Sequence, residues 1–299
     1  MIPAHRHFLS IRFLPIYTLL VVYLYGCHGA RVEATPTLDK LPSLEQALGM
    51  SVNRYSSDKT SSDTTPQSEI ALEIKRNHGL ILARREQLEI SKEVKGHFEK
   101  AVNQAEKKFE EEDGNITQSA ITKLKLGLAG TLNDISQFNS DIALARLRLE
   151  KYLGVRWAES VDISGPKFQQ VDFTYRTVGE FLKSKGSGKT PEGSGWFDLR
   201  EAVIEVNKAR EQLALAGKNR KMTRALLVTE SANYDFGIGN EADLFEALII
   251  YTRVLVGYYE ALHTFNFSVH RFHNIFHIYT MQNDTEPVYE KVLTVDDNE

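Results

Sequence analysis

Two long tracts of this 299-residue chain, Gln67 to Gly165 and Glu192 to Glu286, contain no proline. Proline inside a helix removes a hydrogen bond and clashes with the preceding turn, at a cost of about 3 kcal/mol. Tracts that avoid it for so long read as blocks of long helix, and a β-rich architecture falls away. The chain is 42% hydrophobic and 25% charged with a mean hydropathy of −0.32, so it is neither a polytopic helical membrane protein nor a wholly disordered one. A net charge of −4 leaves no global basic surface for nucleic acid. The single cysteine, Cys27, excludes a disulfide framework and a cysteine-based zinc site.

The last helix, Asn240 to about Tyr279, has the clearest pattern. Leu244, Leu248, Tyr251, Leu255, Tyr258, Leu262, Phe265, Val269, Phe272, Phe276 and Tyr279 follow a 4-3 spacing, a coiled-coil seam. One residue on lies a less apolar stripe that includes Phe245, Val256, Tyr259, His263, Asn266 and His270. A helix with two adjoining seams touches two neighbours. The helix predicted from Thr117 to Leu153 carries one seam, Ile121, Leu124, Leu128, Thr131, Ile135, Phe138, Ile142, Ala145, Leu149 and Tyr152. Their partners are predicted at Gln67–Glu112 and Asp198–Asn233. Glycine-containing breaks, Glu112 to Thr117 and Phe236 to Asn240, join each pair, with Thr117 and Asn240 as caps. The expected fold is all-α: four long helices in two tandem antiparallel coiled-coil hairpins, residues 67–154 and 197–281. The linker between them, 155–196, holds minor short strands such as Val171 to Tyr175 and a short helix at Thr177–Lys185; a polar tail follows at 282–299.

Residues 1–26 combine Arg6 and Arg12 with an apolar run from Phe13 to Leu24, the form of a secretory signal and short for a membrane span. Leu24-Tyr25-Gly26-Cys27 resembles a bacterial lipobox, which makes Cys27 the expected lipid attachment point; ordinary cleavage near Ala30 and a retained anchor are the other readings. Residues 27–66 are expected to be a polar tether.

The run from Ala232 to Ala247, Tyr234-Asp235-Phe236-Gly237-Ile238-Gly239-Asn240 followed by Asp243-Leu244-Phe245-Glu246-Ala247, resembles the hairpin tip of the TolC-like outer-membrane efflux family. Tyr258-Tyr259-Glu260-Ala261-Leu262 with Asn266 is similar to a further segment of that family, and Ala105 to Gly154 to its first hairpin. The resemblance implies a homotrimer whose helices form a periplasmic tunnel. It also implies that the hairpin tips meet a periplasmic adaptor (a membrane fusion protein) serving an inner-membrane pump, for export of small molecules or proteins. By position it places Tyr234, Phe236, Gly237, Gly239, Asp243 and Leu244 at one tip, and Asp113 and Gly114 at the other. Asp113 and Asp243 would face the lumen or cap a helix, with capping expected for Asp243. The sequence departs from the family where barrel strands belong. Ser51–Pro66 does not alternate, and Lys185 to Gly195 is rich in glycine and serine, so a barrel-less relative on the periplasmic side of the outer membrane is expected. The alternatives are a lipid-tethered structural or adaptor coiled-coil protein with no transport activity, and a fragment of a channel gene. Burial of Tyr259, His263 and Asn266 within one chain would favour a closed bundle, and burial between chains a tube.

Other motifs weigh little. Gly188-Lys189-Thr190 lacks the earlier glycine and the strand of a phosphate loop. Glu110 to Asp113 lacks the alternating ligands of a calcium loop. Lys218, Arg220, Lys221 and Arg224 read as a solvated face. His270, His273 and His277 share a helix face but have no carboxylate as a third ligand, so they read as a polar coiled-coil stripe that would loosen the assembly near pH 6 if placed between subunits. No nucleophile or acid–base constellation stands out; no enzyme activity, cofactor or metal is expected. Mass spectrometry of the mature protein checks the N-terminal reading: the expected first residue is an acylated Cys27, and an unmodified start near Ala30 indicates ordinary cleavage.

Overall fold

The proline-free tracts fold as long helices because each carries an apolar stripe at helical spacing. In the computed structural model, which describes residues 35–57, 67–111, 116–186 and 194–283, the chain is all-α with two minor strands. The order is β1 (Thr37–Lys40), α1 (Leu44–Ser57), α2 (Gln67–Glu110), α3 (Gln118–Leu153), β2 (Arg156–Asp162), α4 (Val178–Ser184), α5 (Ser194–Asp235) and α6 (Glu241–Asn283). The caps explain several boundaries. Thr117 Oγ1 accepts from Ala120 N at 3.2 Å, and Thr177 Oγ1 from Glu180 N at 3.1 Å. Gly154 closes α3 in the left-handed region, φ +66°, its N–H donating to Glu150 O.

The helices form a layer in the order α3, α2, α6, α5. α2 packs on α3 and on α6, and α6 packs on α5; α3 and α5 do not touch among the described residues. Nearly all the seam residues of α6 from Leu244 to Phe272 are buried, as are Ile74, Ile81, Leu88, Phe98, Val102 and Ala105 on α2. The second stripe of α6 is therefore occupied inside the chain. Phe245 meets Phe98, Val256 O accepts from Gln87 Nε2 at 2.8 Å, and His263 Nε2 lies 3.2 Å from Arg76 O. Asn266 is buried and Tyr259 and His263 half-buried within one chain, the outcome expected of a closed bundle rather than a tube. That stripe joins the two hairpins of one chain, yet the layer stays open at α3 and α5.

Two further expectations are corrected. The described part of the 27–66 tether is ordered: β1 pairs in parallel with β2, Leu38 opposite Trp157, and α1 buries Ala47 against the group that includes Ile70, Ile74, Leu149 and Leu153. Ser43 and Gln46 form a reciprocal cap, Ser43 N to Gln46 Oε1 at 3.0 Å and Gln46 N to Ser43 Oγ at 3.2 Å, a helix-start signal hidden in polar composition. Val171 to Tyr175 is not a strand. Side chains take the place of a partner strand: Asn266 Oδ1 accepts from Val171 N at 3.0 Å, and Arg210 Nη2 donates to Phe173 O and Tyr175 O at 2.8 and 2.9 Å.

Three helices approach closely at Phe98, which is wholly buried. A Cβ on Gly127 of α3 would sit 2.6 Å from the Phe98 ring and 3.0 Å from the Phe245 ring of α6. Only glycine lets α3 come this close. Phe98→Ala should cost about 3–5 kcal/mol by leaving a cavity, and Gly127→Val about 1–3 kcal/mol by overpacking, both read from the midpoint of urea unfolding.

Candidate functional site: the hairpin tip and the layer edges

The tip between α5 and α6 is built by its own backbone. Ile238 N and Gly239 N both donate to Asn233 O at 2.9 Å, and Gly237 N donates to Tyr234 O at 3.1 Å. Gly237 takes φ +71°, where a side chain is strained. A Cβ on Gly239 would lie 3.2 Å from the backbone of Asn233 and of Tyr234. Asn240 caps α6: its Oδ1 accepts from Ala242 N and Asp243 N, each at 2.9 Å, and its Nδ2 donates to Asp243 Oδ2 at 2.8 Å. Asp243 thus steadies the residue that caps the helix.

The resemblance-derived tip residues separate into two groups. Tyr234 and Leu244 are buried in the core with Ile116, Val102 and Leu248. The Tyr234 ring lies under the Lys108 ammonium, 5.2 Å from the ring centre, and burial with nearby Glu241 and Asp235 pushes its hydroxyl up to about 12. Lys100 Nζ reaches both Asp235 oxygens at 2.7 Å, and Lys108 lies 3.8 Å from Glu241, so α2 is tied to the α5–α6 tip by charge as well as by packing. Phe236 and Ile238 are the opposite case, 79% and 81% exposed on either side of Gly237. Ile238 was not picked out from the sequence, although an apolar residue between two glycines of a tight turn has nowhere to be buried. Asp113 and Gly114 lie outside the described residues, as does Cys27.

Arg84 fastens the middle of the layer. Its Nε bonds Asp141 Oδ2 of α3 at 2.8 Å, and its Nη1 bonds Gln87 Oε1 and Glu260 Oε2 of α6 at 2.6 Å each. The outer helices carry a feature with no partner among the described residues. Every exposed residue of α3 from Leu126 to Leu147 is uncharged, with Leu126 and Leu147 more than 60% exposed. On α5 the exposed positions Ile204, Lys208, Glu211, Leu215, Lys218, Met222, Ala225, Thr229 and Ala232 repeat the 4-3 spacing of a seam. Solvated helix faces are ordinarily charged, so the uncharged face of α3 is atypical of one, while the α5 stripe mixes Ile204, Leu215 and Met222 with Lys208, Glu211 and Lys218. Among the described residues no helix is long and apolar enough to cross a membrane, and no group of residues fits a metal ion.

No family model matches the chain, and no curated protein sequence matches it. Solved structures do. The outer-membrane channel OprN aligns over 78% of this chain and 69% of its own, at 12% identity and a TM-score of 0.57. CusC, whose crystal structures concern folding and transmembrane channel formation, aligns over 78% of this chain and 90% of its own, at 9% identity and a TM-score of 0.51. The chain therefore has the fold of these channel proteins.

Proposed function

We propose that the chain is a tunnel subunit of a TolC-like efflux assembly in the outer membrane, lacking barrel strands, in which three copies close edge to edge with α3 of one copy against α5 of the next. The open layer carries this reading. A four-helix layer with an uncharged face on α3 and a mixed stripe carrying Ile204, Leu215 and Met222 on α5 leaves surface that a second copy can cover, and one edge differs from the other, which is the condition for a ring. The two edges also match along their length. At 1.5 Å per residue, Leu126 and Leu132 lie about 12 and 21 Å from the tip end of α3, and Leu226 and Met222 about 14 and 20 Å from that of α5. Farther along, Leu147 at about 44 Å faces Ile204 at about 47 Å.

The exposed pair Phe236 and Ile238, held out by a rigid turn, supports docking of the tip to an adaptor that serves an inner-membrane pump. Gly237, Gly239 and Asp243 set the shape of that turn, Tyr234 and Leu244 anchor it, and Asp113 and Gly114 belong to the companion tip. Barrel hairpins would fall between α1 and α2 and between α4 and α5. Segments 58–66 and 187–193 are each too short for two strands of about ten residues. Attachment through a lipid on Cys27 then replaces the barrel as the membrane link.

Sedimentation of the mature protein tests the ring: a trimer is expected at micromolar concentration. Leu132→Glu or Met222→Arg alone should weaken it at least tenfold (about 1.4 kcal/mol) per interface, and the two together should recover it in part because the register makes them neighbours. A stable monomer, or no rescue in the double variant, overturns the assembly and favours a lipid-tethered coiled-coil protein without transport. A steady conductance in liposomes overturns the barrel-less part.

A further inference from the structure

At the end of the layer remote from the tip, where α2, α6, the start of α1 and the loop before α4 converge, three histidines come together. They line a cavity of about 170 Å³ together with Lys75, Leu44, Phe168 and Phe267. His78 of α2 is buried, its Nε2 3.0 Å from Pro42 O at the start of α1. His263 of α6 is half-buried, its Nε2 3.2 Å from Arg76 O, and its Cδ2 lies 3.3 Å from where a Cβ on Gly79 would stand. His270, one face-repeat further along α6, lines the same cavity. Its imidazole therefore sits among Lys75, His78, His263 and His273, with no carboxylate among its electrostatic neighbours. Around His263 stand Arg76 and Arg84 of α2 and Glu260 of α6. Glu260 is half exposed and already paired with Arg84. No Asp or Glu lines the cavity among the described residues.

We propose that His78, His263 and His270 form an acid-sensitive clasp: as neutral imidazoles they fasten α2, α6 and α1 together at this end, and their protonation on acidification releases that junction while the tip stays closed. The clasp works within a single chain, so it stands or falls independently of how many copies assemble. In each of His78 and His263 one ring nitrogen is spent on a backbone carbonyl. A second proton would demand an acceptor on the other nitrogen and bring a charge beside Lys75 and the other imidazoles.

Burial is the main cause that holds all three below the ordinary histidine value, and Lys75 adds to it for His270, which is pushed down to about 3. An opened junction exposes imidazoles that take up protons near pH 6.5. The opened state binds more protons below that pH, so the clasp's stability is fully present above about pH 6.5 and is lost as pH falls. The tip is held by different chemistry, the Lys100–Asp235 and Lys108–Glu241 pairs, neither of which involves a histidine. The cavity gives solvent and protons a route in. The histidines expected as a polar coiled-coil stripe separate in the structure: His263 and His270 line the cavity beside α2 of their own chain, and His273 packs against Phe173 and Phe181.

Hydrogen exchange on the full chain, corrected for the intrinsic pH dependence of exchange, tests this. Between pH 6 and pH 5 the opening constant for amides 70–82 and 259–272 should rise on the order of a hundredfold, while amides 98–106 and 241–251 keep their protection. His270→Gln should reduce the proton uptake by about one. Equal protection at both pH values, a uniform loss along α2 and α6, or an unchanged slope in His270→Gln overturns the proposal. If that variant fails to fold, imidazole resonances of the unmodified protein decide. Rings that stay neutral until the junction opens support the clasp, and rings that titrate near pH 6.5 in the closed state overturn it.

Discussion

The structure depends on one constraint: the two inner helices must bury apolar surface on two sides. α6 packs on both α5 and α2, and α2 on both α3 and α6. In helices of 36–44 residues that carry apolar stripes, tertiary burial supplies most of the stability. Side chains that carry both apolar bulk and a polar end serve the junctions. Gln87 is wholly buried while donating to Val256 O, and Tyr251, equally buried, donates to Glu93 Oε2 at 3.0 Å.

A layer with doubly covered centres and singly covered edges has a definite consequence. The uncharged exposed face of α3 and the apolar positions of the α5 stripe, Ile204, Leu215 and Met222, are costly to leave in water, and no element among the described residues covers them. The same open layer explains why the fold matches channel subunits at identities of 12% and 9%. Burial pattern and turn geometry define it, and many sequences satisfy both. The polar chemistry concentrates where helices meet irregular segments. Asn266 holds both Gln169 and Val171, and Arg210 holds Phe173 and Tyr175, because loops packed on helices have no ladder for their backbone groups.

Much of the helical architecture was legible because it rests on local signals. The 4-3 seam, the caps Thr117 and Asn240, and the glycines near the turns each act within a few residues, so reading the chain in order is enough to find them. The helix α1 was missed although Ser43 and Gln46 announce it, because serine and threonine around it suggested a tether. At the tip, the sequence indicated a tight turn but not which residues stand out. Tyr234 and Phe236 are both aromatic and two apart, yet one is buried and the other bare.

The sequence alone determined that the chain makes long helices in two hairpins, with stripes of known position and turns at known glycines, since periodicity and capping are properties of neighbouring residues. Only the tertiary structure decided which stripe meets which helix, that the layer stays open at α3 and α5, and that His78 joins His263 and His270 across almost two hundred residues. Those outcomes depend on side-chain volumes at close approaches such as Gly127 with Phe98, a contact between positions whose spacing along the chain carries no sign of it.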